Sequence, residues 1–278
     1  MTDSSVAARR VALVTGGARG IGRAIAEGLR AIGAAVVVLD ADGDALDACG
    51  LDGLKIRADI ASPDDSAAAV ARVCELHGRL DILVNNAGLG MGTIREDHFA
   101  RPVALAEITP EHWRRKFEVN CMGAFLMMRA AVPGMVTRGW GRVVNITTSF
   151  FTMLNQGFAP YGPAKAAALE AASAIWAKEF AGTGVTVNVL IPGGPTDTRM
   201  VPRSAPFSRS ALIPPAALAA RAMARLGRRG RHHRAPLHRR AVGSGADARG
   251  SRRQSRRADR LAGAHRPGRG LARALRAG

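Results

Sequence analysis

The chain has 278 residues, 47% of them hydrophobic, which is enough for one large α/β domain or two small ones and excludes a chain too polar to build a core. Its formal charge of +18 is unevenly spread: the first 220 residues carry 22 basic and 20 acidic groups, the remainder 18 and 2. A nearly balanced body excludes a general polyanion-binding surface there, so the strongly basic character belongs to the last fifth of the chain alone.

The first apolar run, "VALVT" (11–15), leads into "TGGARGIG", Thr15 to Gly22, and a helix near 21–32. A glycine-rich turn between a strand and a helix gives a pyrophosphate room to approach the backbone, with the helix N–H groups behind it. Gly16, Gly20, Ile21 and Gly22 would form that cradle. The second strand, "AVVVLD" (35–40), ends in Asp40, about twenty residues on, where a carboxylate can accept hydrogen bonds from an adenosine ribose. Asp40 would repel a 2′-phosphate and so favours NAD; Arg19, inside the turn, would attract one and supports NADP. Exclusion by Asp40 decides for NAD, although "DADGD" also suits a solvated turn.

A helix near 63–77 precedes "DILVNNAG" (81–88). A long helix near 110–137, the strand "RVVNIT" (142–147), a helix near 160–181 and the strand "VTVNVLI" (185–191) follow. This alternation predicts a doubly wound parallel sheet of the Rossmann type, and strands apolar throughout suit a sheet covered on both faces. The apolar run after Arg10 is too short for a signal peptide, and no stretch approaches a membrane span. Cys49, Cys74 and Cys121 are scattered, as expected of reduced thiols in a cytoplasmic protein.

"YGPAK" places Tyr161, the chain's one tyrosine, four residues before Lys165 at the start of a predicted helix, so both lie on one face. An ammonium beside a phenol would lower the phenol's pKa toward that of a general base.

Together, "TGGARGIG", Asp59 in "ADI", "NNAG", Asn120 in "VNCMG", the hydroxyls of "NITTS", "YGPAK" and "IPGGPTDT" resemble the short-chain dehydrogenases/reductases, over about residues 9–212. The resemblance implies that Tyr161 is the acid/base in hydride transfer between a nicotinamide and a small-molecule secondary alcohol or ketone. It implies that Lys165 binds the nicotinamide ribose and lowers the tyrosine pKa, and that Asn120 holds a proton-relaying water. The hydroxyl that orients the reacting oxygen would be Thr148, thirteen residues before the tyrosine, with Ser149 beside it as the alternative. Asp59 and Ile60 would contact the adenine, and Asn86, Ala87 and Gly88 would form the turn beside the adenosine. Pro192 and Gly193 would meet the carboxamide, with Thr196 or Thr198 binding the amide or a phosphate. A homo-oligomer is also implied. Substrate would enter between 149–160 and the segment after Thr198, where Phe150, Phe151, Met153, Leu154 and Phe158 offer either an apolar wall or a subunit contact.

The dehydrogenase domain is expected over 1–216, followed by an arginine-rich tail, 217–278, expected to be disordered. A nucleic-acid-binding tail would interleave aromatics with its arginines, and no aromatic follows Phe207. His232, His233 and His238 have no cysteine or acid near them, so no metal site is expected. All 18 basic residues after 220 are arginine, as a GC-rich gene read out of frame would give. A one-base forward shift permits "WLASDA" across 223–228 and "ITG" after it, as the resemblance requires, so the tail is expected to be a frame-shifted product. It would leave the sheet without its last strand and the oligomer interface incomplete.

Overall fold

The computed structural model describes residues 10–149 and 154–226. Six parallel strands lie in the order β3-β2-β1-β4-β5-β6. They are β1 (Val11–Thr15), β2 (Ala35–Asp40), β3 (Lys55–Arg57), β4 (Ile82–Asn85), β5 (Gly141–Ile146) and β6 (Val185–Leu190). Leu13 of β1 pairs with Val37 on one side and Leu83 on the other. The winding therefore reverses between β1 and β4, and the crevice at their carboxyl ends is where such sheets receive ligands. This is the doubly wound sheet that the alternation predicts.

Side chains alternate across each strand and fill two cores. Leu13, Val37, Leu83 and Val143 pack against α3 (Pro63–His77) and α5 (Gly123–Thr137). Ala12, Val14, Val38, Ile82 and Val144 pack against α1 (Gly20–Ala31) and α7 (Pro215–Leu226). Both faces are covered, which is why β1 and β4 are buried from end to end. The ends of α3 show how local sequence sets an element. Ser62 accepts a hydrogen bond from the Asp65 amide at 3.2 Å, Pro63 opens the first turn, and Gly78 closes the helix at φ +71°.

Three expectations change. The long helix near 110–137 is α4 (Pro110–Phe117) and α5 joined by a π-turn, Glu118–Met122. The helix near 160–181 likewise contains a π-segment, Pro163–Leu169, before α6 (Glu170–Glu179). Pro110–Thr137 is, by length and composition, apolar enough to cross a membrane, contrary to the expectation that no stretch approaches this; Leu126, Met127, Ala131 and Met135 are instead buried in the protein core.

The third concerns the boundary at residue 216. Residues 217–226 belong to α7, whose Leu218, Ala222 and Leu226 are buried, and a Cβ at Gly28 of α1 would stand only 3.2 Å from Ala219. The apolar period of "AALAARAMARL" is helical, and it was masked by the arginines interspersed in it. The rest of the expected tail, 227–278, lies outside the described residues, as do Phe150, Phe151 and Met153.

Candidate active site

The turn after β1 is built around absent side chains. Gly16 and Gly20 have φ of +60° and +56°. A Cβ on Gly22 would lie 2.1 Å from the Gly16 carbonyl oxygen and 2.5 Å from Asn86 Nδ2. Asn86 donates from Nδ2 to the carbonyls of Thr15 and Gly16, each at 3.0 Å. Thr15 Oγ1 accepts from the amides of Asn86 and Ala87 at 3.0 and 3.1 Å. "NNAG" and the glycine turn are thus one polar unit across the switch point. Arg19, at the N-cap of α1, makes no side-chain cap, and the first turn of the helix holds no acid. Free N–H groups over a floor without side chains fit a dinucleotide pyrophosphate, flanked by Ile21, half-buried against the α1 side of the sheet.

Asp40 stands at this edge. Its Oδ2 accepts from the Ala18 amide at 3.3 Å and its Oδ1 from the Asp42 amide at 3.2 Å. Arg19 is paired with Asp42, so it is not free as the sequence suggested. Asp59 is engaged as well: its carboxylate takes the Ala61 amide at 3.0 Å and Arg115 at 2.6 Å. Burial opposes its ionisation, but these two donors prevail and hold the carboxyl below its ordinary range. Ile60 is buried, and a Cβ on Gly123 would come within 2.5 Å of it.

Asn120 lies in the first π-turn, 1% exposed. Its Oδ1 accepts from the Leu89 amide at 2.7 Å and its Nδ2 donates to the Leu89 carbonyl at 3.0 Å. These two bonds clamp the turn after β4. A side chain on Gly88 would meet Asn120 Oδ1 at 2.9 Å and Lys165 Nζ at 3.1 Å, so Asn120 and Lys165 converge on this glycine.

Lys165 is 4% exposed and donates to the Ile146 carbonyl at 2.9 Å and to that of Ala87 at 3.4 Å. Burial lowers its pKa from 10.5 to about 8, opposed by Cys121. Tyr161 departs from expectation: burial raises the phenol above its ordinary value, and the group that works the other way is Thr148, through a side-chain hydrogen bond, not Lys165. Thr148 thus reaches the phenol with its side chain, and Ser149 is the residue that follows it. Strand alternation cannot decide between them because β5 ends at Ile146.

Beyond β6, Gly193 has φ +92° and Pro192 offers its carbonyl to Arg221 of α7 at 2.7 Å, a contact missed because Arg221 falls in the supposed tail. Thr196 is 5% exposed and tied into a bridge with Ile213. Thr198 instead lies beside the glycine turn, its Cγ2 methyl 3.1 Å from where a Gly20 Cβ would stand. On the substrate side, Phe158 meets His98 and Phe99 edge-on, and Phe99 meets Phe207. Leu154 is 67% exposed.

A buried network supports the site from below. Asn85 Nδ2 donates to Asn145 Oδ1 at 2.9 Å, Asn145 Nδ2 to Ser173 Oγ at 2.8 Å, and Ser173 Oγ to the Leu169 carbonyl at 2.6 Å. It ties β4 and β5 to the helix carrying Lys165. Its only sequence signal is the polar residue in each otherwise apolar strand.

Residues 10–207 match the short chain dehydrogenase family. A short-chain type dehydrogenase/reductase of Picea abies is 35% identical over 203 residues, 66% of this chain and 70% of that protein. A 3-oxoacyl-[acyl-carrier-protein] reductase of Escherichia coli (strain K12) is 34% identical over 188 residues, 66% and 72% of the two chains. A metagenomic short-chain oxidoreductase solved in complex with NADP superposes with TM-score 0.66 at 27% identity, covering 81% of this chain and 93% of its own. The fold and the glycine cradle at the switch point accord with these likenesses: the chain belongs to the short-chain dehydrogenase/reductase family of NAD(P)-dependent oxidoreductases.

Proposed function

We propose that the protein interconverts a secondary alcohol and a ketone with NAD(H), using Tyr161 as the general acid/base. The observation that carries this is the hydrogen bond between Thr148 and the Tyr161 phenol at the edge of the sheet where the glycine turn opens. When bound, the nicotinamide supplies or accepts the hydride. Gly16, Gly20, Ile21 and Gly22 hold the pyrophosphate, Asn86, Ala87 and Gly88 flank the adenosine, and Asp59 and Ile60 border the adenine. Pro192 and Gly193 present backbone to the carboxamide, and Thr198, with Thr196 behind it, closes the phosphate side.

Tyr161 gives its proton to the oxygen of a ketone or takes it from an alcohol, and Thr148 orients that oxygen, with Ser149 next to it. Lys165, anchored to Ile146, contributes positive charge and a ribose contact. Asn120 keeps the Ala87–Leu89 turn in place for that lysine. The Asp40 carboxylate uses one lone pair of each oxygen on a backbone amide, and the others remain for ribose hydroxyls.

NADPH-dependent reduction of a ketone is the second reading, favoured by Arg19 in the glycine turn, by the NADP complex and by the relatives named 3-oxoacyl reductases. The experiment is equilibrium titration with NAD⁺ and NADP⁺ of wild type and Asp40→Ala, alongside turnover of Tyr161→Phe. Tighter NAD⁺ binding by wild type, a shift toward NADP⁺ in Asp40→Ala, and loss of turnover with dinucleotide binding retained in Tyr161→Phe are expected. Undiminished turnover by Tyr161→Phe defeats the assignment.

A further inference from the structure

Arg19 is the cation that the glycine turn itself offers to a 2′-phosphate, and it is already held by Asp42. Asp42 occupies a fixed position between three elements. Its Oδ1 caps α2 (Gly43–Ala48) by accepting the Ala45 amide at 3.0 Å, its own amide donates to Asp40 Oδ1 at 3.2 Å, and its Oδ2 takes the Arg19 guanidinium. The hydrogen bond from Arg19 is the chief reason that its carboxyl lies below the ordinary range, and the charge of Arg199, next to Thr198 in the segment after β6, adds to it. Asp40 is joined to the same turn through Ala18. Two carboxylates therefore stand in series at the end of β2, and the second neutralises the one guanidinium that the glycine turn itself offers.

We propose that Asp42 is a specificity-determining residue that disfavours NADP by keeping Arg19 engaged, a second device beside the repulsion exerted by Asp40. A 2′-phosphate would have to displace the Asp42 carboxylate from Arg19 while adding its own negative charge beside Asp40, whereas a ribose hydroxyl requires neither. Because the pair is partly exposed, with side-chain accessibilities of 38% for Arg19 and 41% for Asp42, it is a brake that can be released and not a fixed structural bridge.

The inference rests on the NAD(H) reading above and is separable from it by experiment. Asp42→Asn is the variant of choice because asparagine keeps the cap on α2 and nearly the same volume while removing the charge that holds Arg19. Equilibrium fluorescence titration with NAD⁺ and NADP⁺ on wild type, Asp40→Ala, Asp42→Asn, Arg19→Gln and the Arg19→Gln/Asp42→Asn double variant gives the ratio of the two dissociation constants for each. In Asp42→Asn the ratio should move about tenfold toward NADP⁺, and the double variant should lose that gain. An unchanged ratio in a folded Asp42→Asn overturns the proposal, as does a gain that persists without Arg19. A wild type that already binds NADP⁺ more tightly overturns the NAD(H) reading instead.

Discussion

The Lys165 ammonium donates to the Ile146 carbonyl at 2.9 Å and so fastens its helix to the end of β5. Burial depresses its pKa to about 8. Between about pH 8 and 10.5 the unfolded chain keeps a proton on this lysine that the folded chain has released. Stability from this group therefore rises with pH across that window, and below it the group exerts its full penalty. The stability of wild type relative to Lys165→Met should increase from pH 7.5 to 10, by at most on the order of 3 kcal/mol. Urea denaturation of both proteins across that range checks it, and a pH-independent difference would show that Lys165 titrates normally.

Thr148→Ala removes the hydrogen bond that offsets the burial of the Tyr161 phenol. The alcohol-oxidising reaction needs the deprotonated phenol, so its rate should fall by about 10- to 1000-fold and its pH profile should move to higher pH. Ser149→Ala should leave the profile in place. Steady-state rates from pH 6 to 10.5 distinguish the two variants.

Gly22→Ala places a methyl 2.1 Å from the Gly16 carbonyl and 2.5 Å from Asn86 Nδ2. Since both neighbours belong to the cradle, dinucleotide affinity should drop at least tenfold and the melting temperature should fall. Gly50→Ala, where nothing lies within 4 Å of the added carbon but φ is +66°, should cost about 1 kcal/mol and leave affinity intact. Calorimetric titration and thermal melts of the pair read both effects.

Leu218 is fully buried in α7. Leu218→Ala should destabilise the protein by about 2–5 kcal/mol in urea denaturation, as a core truncation does, although the residue lies past the point where the arginine-rich composition begins. A neutral result would remove α7 from the cooperative fold.

The doubly wound parallel sheet was legible because strand alternation and turn glycines are local signals, whereas β3, three residues long with charges at both ends, had no apolar run to mark it. The directions of side chains were not legible. Arg19 read as a phosphate partner because its distance from Asp42, twenty-three residues on, is a product of the β1–β2 pairing. The bonds between Asn120 and Leu89, thirty-one residues apart, leave no local signal either. The π-turns at Asn120 and Lys165 leave no compositional trace, since an extra residue in a helical turn alters hydrogen bonding and not hydrophobic content. Burial misled in one respect as well: spacing puts an ammonium near the phenol, but only packing reveals that the ammonium points to Ile146.

The Leu226 carbonyl of α7 accepts a hydrogen bond from Arg142 Nε at 3.0 Å, and the Arg142 and Arg10 guanidiniums lie 4.4 and 4.1 Å from the centre of the Trp140 ring. Arg142 is the second residue of β5 and Ile146, which anchors Lys165, its last, so about 13 Å of strand separates the two. The Leu226 contact ties α7 to the entry edge of the sheet, opposite the Ile146 end. A change in α7 would reach that end as a load on a distant hinge reaches a latch, through the α1–α7 contact and the strand.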